Sequence, residues 1–340
     1  MRARKIFRGL GLASMCLLCL AVFSVTSAEA AKTIRVATVA LPETTIYQGL
    51  DKWQKIVAEK SNGKIEIKVL GRAVMGGDRE MIEGCRLGTL DSAVVSGSVL
   101  ANIIPQYSMI AMPYLFNSHD EANAYLDGPM GKKLFGLLEE KDLVGLGWAT
   151  WSFRGIWNNV RPITKPEDLQ GLKIRTVETP LDMGIINKMG GVSTPMAWSE
   201  CLLGLRQGTV DGISTTYGLG YPLKLYELAK FASQTNHYYE TAPLIMSKKL
   251  FNEFTPEEQK FIRETAAEAM LWSRTEQMKY ESKCQPMLEE KGTKVNAVSS
   301  EVFEAFRDKT KPLYQEFREK VGPEFMDGTV AFLKTYREKK

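Results

Sequence analysis

The pattern of apolar and polar positions after residue 30 alternates between strand-like and helix-like segments. β-branched residues cluster in residues 33–39 and alternate in residues 64–70, as they do in strands, whereas the apolar spacing in residues 45–60 is helical. Residues 81–87 form a second helical pattern that Gly88 ends, and a strand pattern follows within residues 90–97. A strand, a helix and a second strand in succession indicate an α/β fold with a parallel sheet.

A similar unit of helix, glycine and strand returns about 120 residues later. The segment CRLGTLDSAVVS, which starts at Cys85, aligns with LRQGTVDGISTT, which starts at Leu205, with arginine, glycine, threonine and aspartate at equal spacing. Two related α/β lobes explain this better than chance similarity. Because ligands of open α/β sheets bind beyond the carboxyl ends of the strands, we expect residues 96–98 and 214–217 at facing rims of an interlobe cleft.

One long helix is predicted in the C-terminal third. Thr255, Pro256 and Glu258 combine a capping box with proline at the first helical position, and neither glycine nor proline recurs before Pro286. A helix of about 30 residues would be roughly 45 Å long. We expect it to run along both lobes, with an ordinary surface helix as the alternative.

The first thirty residues have the pattern of a cleavable signal peptide. Basic residues precede an apolar run over residues 9–25, and Ala28-Glu29-Ala30 forms an A-x-A cleavage site. The alternative is an uncleaved anchor, since the run has about the shortest length that spans a membrane. We expect a mature chain from about Ala31 and a periplasmic location.

Size and charge narrow the remaining possibilities. About 310 residues remain after the signal peptide, which favours two domains. The segment removes four basic residues and one acidic residue, so the formal net charge falls from +4 to about +1. A near-neutral chain argues against nucleic acid as a partner.

Few residues of the chain suit catalysis or metal binding. His119 and His237 are the two histidines of the sequence, and no zinc-ligand spacing, nucleophile elbow or phosphate-binding loop occurs. His237 is more often a hydrogen-bonded structural residue than a base. Cys85, Cys201 and Cys284 allow at most one disulfide, and buried thiols are favoured. We therefore predict no catalytic residue, no metal and no cofactor, and keep a periplasmic enzyme acting on an organic acid as an alternative.

Arginine in the segment RPITKPEDLQGLKIRTVETP is a candidate for ligand binding. Prolines and Gly171 mark turns, and residues 172–176 form a strand in which Arg175 faces away from Ile174. A guanidinium can hold a carboxylate through two parallel hydrogen bonds. The alternative is a surface arginine that pairs with Glu178 or Asp168.

Several passages in order along the chain resemble the solute-binding proteins of tripartite ATP-independent periplasmic (TRAP) transporters, the family typified by the C4-dicarboxylate receptor. These passages are SNGKIEIKVL, MGGDREMIEGCRLGTLDSAVVS, MPYLF, RPITKPEDLQGLKIR, GGVSTPMAWSECLLGLRQGTVDG and TNHYYETAPLIMSKKLF. The resemblance implies the two-lobed periplasmic-binding-protein fold, with crossing hinge strands and a long helix that touches both lobes. It also implies delivery of a carboxylate to the membrane permease subunits of a TRAP transporter.

The resemblance further implies boundaries and residue roles. We expect lobe 1 over residues 31–151 and 241–280, lobe 2 over residues 152–240 and 281–325, and a C-terminal tail over 326–340. Arg175 matches the family's carboxylate-binding arginine, and Arg154 in WSFRG matches a second arginine that often assists. Thr215 stands where the family commonly has asparagine after VDG, which puts the usual amide contact in doubt.

Aromatic residues around the expected cleft bear on the ligand. Near the predicted rim lie Trp148, Trp151, Phe153, Trp198, Tyr217 and Tyr221, with few charged groups besides the two arginines. This favours an aromatic or apolar monocarboxylate or keto acid, such as an indole acid, over a C4-dicarboxylate or sugar acid. A ligand-presenting subunit of a sensor remains an alternative role. The candidate ligand-binding residues are Arg175, Arg154, Thr215, Trp151, Ser96, Trp198 and Tyr217.

Overall fold

Ten strands form the sheet structure of residues 31–340. The computed structural model describes residues 31–340, so the predicted signal peptide lies outside the described residues. The strands are β1 (Lys32–Thr38), β2 (Ile65–Leu70), β3 (Ser92–Val94), β4 (Leu143–Asn158), β5 (Lys173–Thr176), β6 (Val192–Pro195), β7 (Gly212–Thr216), β8 (Phe231–Gln234), β9 (Tyr239–Ser247) and β10 (Lys294–Ala297). Helices surround them, which confirms the α/β prediction.

Two parallel groups of strands flank a central antiparallel pair. The strand order is β2-β1-β3-β9-β4-β7-β5-β6, and β8 joins β4 to β10. β1 pairs in parallel with β2 and β3, and β5 pairs in parallel with β6 and β7. β4 and β9 pair antiparallel with each other, and β4 also pairs antiparallel with β7. The long strands β4 and β9 therefore connect the N-terminal strand group to the later one.

Twelve helices pack around these strands in the described residues. They are α1 (Thr45–Lys60), α2 (Asp78–Leu87), α3 (Gly97–Leu100), α4 (His119–Asp127), α5 (Pro129–Leu138), α6 (Pro180–Met189), α7 (Trp198–Gln207), α8 (Lys248–Phe251), α9 (Pro256–Glu289), α10 (Ser300–Thr310), α11 (Pro312–Val321) and α12 (Pro323–Glu338).

The repeated sequence unit has the same local structure in both copies. α2 ends at Gly88 and α7 ends at Gly208, each in the left-handed conformation with φ near 74°. Glycine adopts this conformation without the steric cost of a Cβ. Each helix then leads into a strand, β3 in one copy and β7 in the other.

Helix α9 is the predicted long helix. Thr255 caps its first turn, since its Oγ1 accepts a hydrogen bond from the Glu258 amide at 3.3 Å while Glu258 Oε2 accepts one from the Thr255 amide at 2.8 Å. Pro286 does not end the helix, which continues to Glu289. Its 34 residues give a length of roughly 50 Å.

Two hydrophobic cores contact α9. Ile262 and Met270, from its N-terminal half, belong to the larger core that includes β1 and α1, whereas Cys284 and Leu288 belong to a smaller core with Trp157. Trp53 Nε1 in α1 also donates a hydrogen bond to Thr265 Oγ1 at 3.1 Å. One rigid element thus packs against both halves of the molecule, the N-terminal half that contains β1–β3 and the later half that contains β5–β7.

The last residues of the chain, which the sequence led us to treat as a tail, lie mostly in α12. The Tyr125 hydroxyl of α4 lies 3.0 Å from Thr329 Oγ1, and Arg337 Nε donates to Glu121 Oε1 at 2.5 Å. Met326, Thr329 and Leu333 are buried. Apolar residues at helical spacing therefore attach this segment to α4.

Residues 31–340 contain no candidate membrane-spanning helix, no cluster of potential metal ligands and no disulfide. No helix in this range combines the length and the hydropathy that a bilayer crossing requires. No cluster of three or more histidine, cysteine or acidic side chains is placed to hold a metal ion there. Cys85, Cys201 and Cys284 are buried free thiols.

Candidate functional site

A small cavity lies where the two parallel strand groups face each other. It is narrow, with a free volume of about 30 Å³. The lining residues come from β-strand ends, from helix N-termini and from the crossing strand β4. They are Val39, Asp78, Ser96, Trp151, Arg154, Arg175, Val177, Trp198, Thr215, Thr216 and Leu219.

Arg175 is the buried cation of this cavity that lacks an anionic partner. β5 holds it with only 3% of its surface exposed, and its Nε donates to the Met196 carbonyl at 2.9 Å. Its Nη1 is buried without a hydrogen-bond partner in the described chain. The guanidinium carbon lies 5.4 Å from the centre of the Trp198 ring. A buried guanidinium with an unused N–H group is a site for an anion.

The surface pairs that were the alternative for Arg175 do not form. Asp168 Oδ2 accepts hydrogen bonds from the Thr164 and Lys165 amides at 2.8 and 3.0 Å. Glu178 lies 3.9 Å from Arg79 Nη1. Both acids are therefore engaged elsewhere, and Arg175 faces the cavity.

Arg154 also lines the cavity, but its charge is already neutralised. Its Nε and Nη2 lie 3.0 and 2.9 Å from Glu240 Oε2, and its Nη1 donates to the Ser214 carbonyl at 2.5 Å. The carboxylate of Glu240 further accepts hydrogen bonds from the Ser98 and Tyr238 hydroxyls. β4 and β9 carry Arg154 and Glu240, so this buried ion pair joins the two crossing strands.

Asp78 places an acidic group in the same cavity. It begins α2, and its Oδ1 accepts a hydrogen bond from the Ser96 amide at 3.2 Å. Loss of solvent raises the pKa of its carboxyl to about 6, against the opposing effect of that hydrogen bond. Burial likewise raises the pKa of Asp182, whose Oδ2 accepts from the Val177 amide at 2.5 Å.

Hydroxyl groups line the wall formed by β7. Thr215 and Thr216 both reach the cavity, and Thr216 Oγ1 is buried without a partner in the described residues. Ser96 lies across the cavity, between β3 and α3. These hydroxyls can donate to or accept from a bound molecule.

Two of the six expected aromatic residues line the cavity, Trp151 and Trp198. Trp148 instead stacks on Phe135 with ring centres 4.3 Å apart. Tyr217 is buried against Trp157, with ring centres 5.8 Å apart, because the chain turns into a 3₁₀ turn directly after β7. The structure therefore does not bring Tyr217 to the cavity.

A separate groove holds Tyr217 and Phe153. It is lined by His119, Phe153, Tyr217, Gln234, Asn236, Met278, Glu281, Ser282, Cys284 and Gln285. None of these residues lines the cavity around Arg175. Tyr221 lies outside both, beside Tyr226.

His237 is fully buried in a hydrogen-bonded position. Its ring nitrogens lie 2.9 Å from Ser214 Oγ and 2.8 Å from Thr235 Oγ1. Burial, together with the charge of Arg154, lowers the pKa of His237 to about 3. The imidazole is thus neutral at ordinary pH and orients β7 rather than exchanging protons.

Contacts between the two halves close the rim of the cavity. Asn102 Nδ2 of the N-terminal half donates to the Glu178 carbonyl of the later half at 3.3 Å. Arg79 approaches the Glu178 carboxylate, and a Cβ at Gly77 would lie 3.9 Å from the Ala197 Cβ. The structure therefore represents a closed arrangement, in which Arg175 is shielded from solvent.

Six of the seven candidate ligand-binding residues meet in this cavity, and Tyr217 does not. Sequence reasoning placed Thr216 at the rim only as part of residues 214–217, and it missed Asp78 and the apolar residues Val39, Val177 and Leu219. Asp78 had only a weak signal, because it precedes the predicted helix of residues 81–87 and follows two glycines in MGGDREM. The one sequence signal for Glu240, the partner of Arg154, was its position beside a predicted hinge between the lobes.

Comparisons with known proteins agree with this geometry. The profile of the family described as "Bacterial extracellular solute-binding protein, family 7" (DctP) matches residues 36–320. The 2,3-diketo-L-gulonate-binding periplasmic protein YiaO of Escherichia coli is 30% identical over 74% of this chain and 76% of its own length.

Solved structures extend the similarity to the fold. The sugar acid binding protein DctPAm of Advenella mimigardefordensis, in complex with galactonate, matches with a TM-score of 0.87 and 27% identity over 90% of this chain and 98% of its own. A TRAP periplasmic solute binding protein from Sulfitobacter, with bound β-D-galacturonate, matches with a TM-score of 0.84 and 30% identity over 89% and 100%. These likenesses confirm the predicted two-lobed fold.

Proposed function

This chain belongs to family 7 of the bacterial extracellular solute-binding proteins, as its resemblance to TRAP solute-binding proteins predicted, and from that premise we propose that it captures a hydroxylated monocarboxylate and delivers it to a TRAP membrane permease. The observation that carries the proposal is the unpartnered Nη1 of Arg175 inside a closed cavity. A carboxylate there would gain charge-assisted hydrogen bonds and satisfy that group.

The charges around the cavity favour one carboxylate over two. Arg175 is available, whereas Arg154 is already paired with Glu240. A second carboxylate on the ligand would approach Asp78 without a free cation of its own, and like charges at short distance in a poorly solvated site repel strongly. A monocarboxylate therefore fits better than a dicarboxylate.

The remaining polar groups favour a ligand with hydroxyls. Asp78 and the hydroxyls of Ser96, Thr215 and Thr216 provide acceptors and donors that an apolar ligand would leave unpaired. The relatives with bound galactonate and galacturonate hold acids of this type. The relatives named above give no such support to an aromatic or indole acid, and only two of the six expected aromatic residues, Trp151 and Trp198, line the cavity.

Calorimetric titration tests the ligand class directly. D-galacturonate, D-erythronate, succinate and indole-3-acetate are titrated into the protein without its signal peptide. We expect binding of at least one of the hydroxy acids and weaker or no binding of succinate and indole-3-acetate. Tight binding of indole-3-acetate alone would return the assignment to aromatic acids.

An Arg175→Lys variant tests the carboxylate contact. Lysine keeps the charge but not the paired N–H geometry, so we expect affinity for the bound acid to fall at least about tenfold. Arg206→Lys, at an exposed position of α7, is the matched control. Equal affinity of both variants and the wild type would remove Arg175 from the site.

Two other roles share the same cavity and need separate tests. An enzyme would convert the acid, so chemical recovery of the unchanged acid after long incubation excludes it. A sensor subunit would bind a membrane sensor domain instead of a permease, which co-purification with each candidate partner distinguishes. The periplasmic location follows from the proposal and is tested by fractionation of cells that express the full chain.

A further inference from the structure

Ser152 has an unusual backbone conformation at the point where β4 passes from one half of the molecule to the other. Its φ is 84°, in the left-handed region that residues with a Cβ rarely adopt. The register between β4 and β9 shifts between Thr150 and Ser152, and beyond it β4 pairs with β7 from Arg154 onward. An unfavourable conformation at a crossing strand persists only where neighbouring groups stabilise it.

Thr150 and Glu281 both contact Ser152: the Ser152 amide donates a hydrogen bond to Thr150 Oγ1 at 2.8 Å, and Glu281 of the long helix α9 contacts its side chain. The Ser152 hydroxyl donates a hydrogen bond to Glu281 Oε2. The same carboxylate oxygen lies 3.3 Å from His119 Nε2 at the start of α4. One oxygen atom therefore joins the crossing strand, the long helix and a helix of the N-terminal half.

The ring of His119 also packs against both crossing strands. Its centre lies 5.3 Å from that of Phe153 in β4 and 5.7 Å from that of Tyr239 in β9, in edge-to-face arrangements. These contacts lie beside Ser152 in the strand pair, since Ser152 is opposite Glu240 and Phe153 is opposite Tyr239. Glu281, His119 and Ser152 are defined here as the hinge clamp.

We propose that Glu281 is a positioning residue that holds Ser152 in its left-handed conformation and thereby stabilises the closed arrangement of the lobes. The inference rests on the proposed capture of an acid by lobe closure. Glu281 lines the separate groove and not the cavity around Arg175, so its effect on affinity would pass through the hinge. Removal of the clamp would lower the closed population and weaken binding by the same factor.

A double-mutant cycle separates this role from a general effect on stability. Glu281→Ala removes the acceptor, and Ser152→Gly removes the hydroxyl donor together with the steric cost of the left-handed conformation. If the clamp acts by holding that conformation, Glu281→Ala weakens binding of D-galacturonate roughly tenfold in the wild type. In the Ser152→Gly background the same change costs less than about threefold. Glu276→Ala, on the same helix, is the matched control and leaves affinity unchanged.

Distance measurements without ligand keep the proposal independent of the ligand assignment. Nitroxide labels attached through Leu87→Cys in α2 and Leu203→Cys in α7 report the separation of the two halves, because both side chains are exposed and the three native thiols of the described chain are buried. Double electron–electron resonance should show a shift to longer distances for Glu281→Ala, and recovery toward the wild-type distribution in the double variant.

Two results would contradict the proposed hinge clamp. A distance distribution and a dissociation rate of D-galacturonate that match those of Glu276→Ala would overturn the clamp. Equal effects of Glu281→Ala with and without Ser152→Gly would overturn it as well, because the coupling would then be absent. If D-galacturonate binds no variant, the proposed ligand class fails, and the distance distributions alone decide on the clamp.

Discussion

Arg154 and Arg175 are buried to nearly the same extent in one cavity, yet they are prepared for different tasks. Arg154 is 5% exposed and bound to Glu240, to a backbone carbonyl and over the Tyr238 ring. Arg175 is 3% exposed and has one hydrogen bond, to the Met196 carbonyl, with Nη1 unused. A buried charge whose hydrogen bonds are all made within the protein stabilises the fold. A buried charge with an unused hydrogen-bond donor gains a partner when an anion binds.

Removal of the partner of Arg154 should have the largest effect on stability. Glu240→Ala leaves a buried guanidinium without its carboxylate, so we expect the free energy of unfolding to fall by about 3 kcal/mol or more. Urea unfolding measures it. Glu240→Gln, which keeps an acceptor, should lose less. A loss below about 1 kcal/mol for Glu240→Ala would mean that the two arginines do not differ in this way.

Removal of Arg175 should affect binding and not stability. Arg175→Met should weaken binding of the acid by at least about 2 kcal/mol, through loss of charged hydrogen bonds. The free energy of unfolding should stay the same or rise, since an unpartnered buried charge is unfavourable in the empty protein. Calorimetry and urea unfolding of the same sample check both statements. A large loss of stability would show that Arg175, like Arg154, is structural.

The acid of the cavity should give a smaller effect that depends on pH. The pKa of Asp78 is about 6 in the folded protein, above its value of about 4 in the unfolded chain. Between these two pH values the folded protein is protonated at Asp78 and the unfolded chain is not. Folding stability from this group therefore rises as pH falls through 6 and is constant below about pH 4. Relative to Asp78→Asn, wild type should gain about 2 kcal/mol between pH 7 and 4.

The low pKa of His237 acts in the opposite direction over part of that range. Because His237 stays neutral in the folded protein, folding stability falls as pH drops below about 6.5, the pKa of histidine in the unfolded chain. This contribution is common to wild type and Asp78→Asn, so the difference between their pH profiles isolates Asp78. Parallel profiles for the two proteins would contradict the pKa assignment of Asp78.

The rim contacts should contribute least. Glu178 is partly exposed and 3.9 Å from Arg79, so Glu178→Gln should change affinity by about 0.5 kcal/mol or less. Its effect should vanish in high salt, unlike that of Arg175→Met, whose site is shielded from solvent. Titrations at low and high ionic strength compare the two. A salt-independent loss of about 2 kcal/mol for Glu178→Gln would make the rim as important as the cavity.

Much of the fold follows from local signals in the sequence. Residues 45–60 form α1 as their periodicity predicted, and Gly88 and Gly208 end α2 and α7 in both copies of the repeat. Pro286 did not predict the end of α9, because the helix continues beyond the proline, where Cys284 and Leu288 pack in the smaller core. The tertiary contacts of α12 with α4 also outweighed its terminal position.

The site was predictable to the extent that single strands define it. Arg175 follows from the alternation within β5, and Ser96 and Thr215 follow from the ends of the repeated strands. The pairing of Arg154 with Glu240 joins residues 86 positions apart across two crossing strands, so no local pattern reveals it. Tyr217 begins the 3₁₀ turn after β7 and lines the separate groove, which the strand pattern alone does not reveal.

The shielding of Arg175 has a kinetic consequence. With the rim shut, an acid from bulk solution finds no path to the guanidinium, so only molecules that have opened can capture one. At high acid concentration, capture can be no faster than the opening of the lobes. After the lobes have closed, a bound acid leaves only when they open again. The lifetime of the complex would therefore be set by the rate of lobe opening.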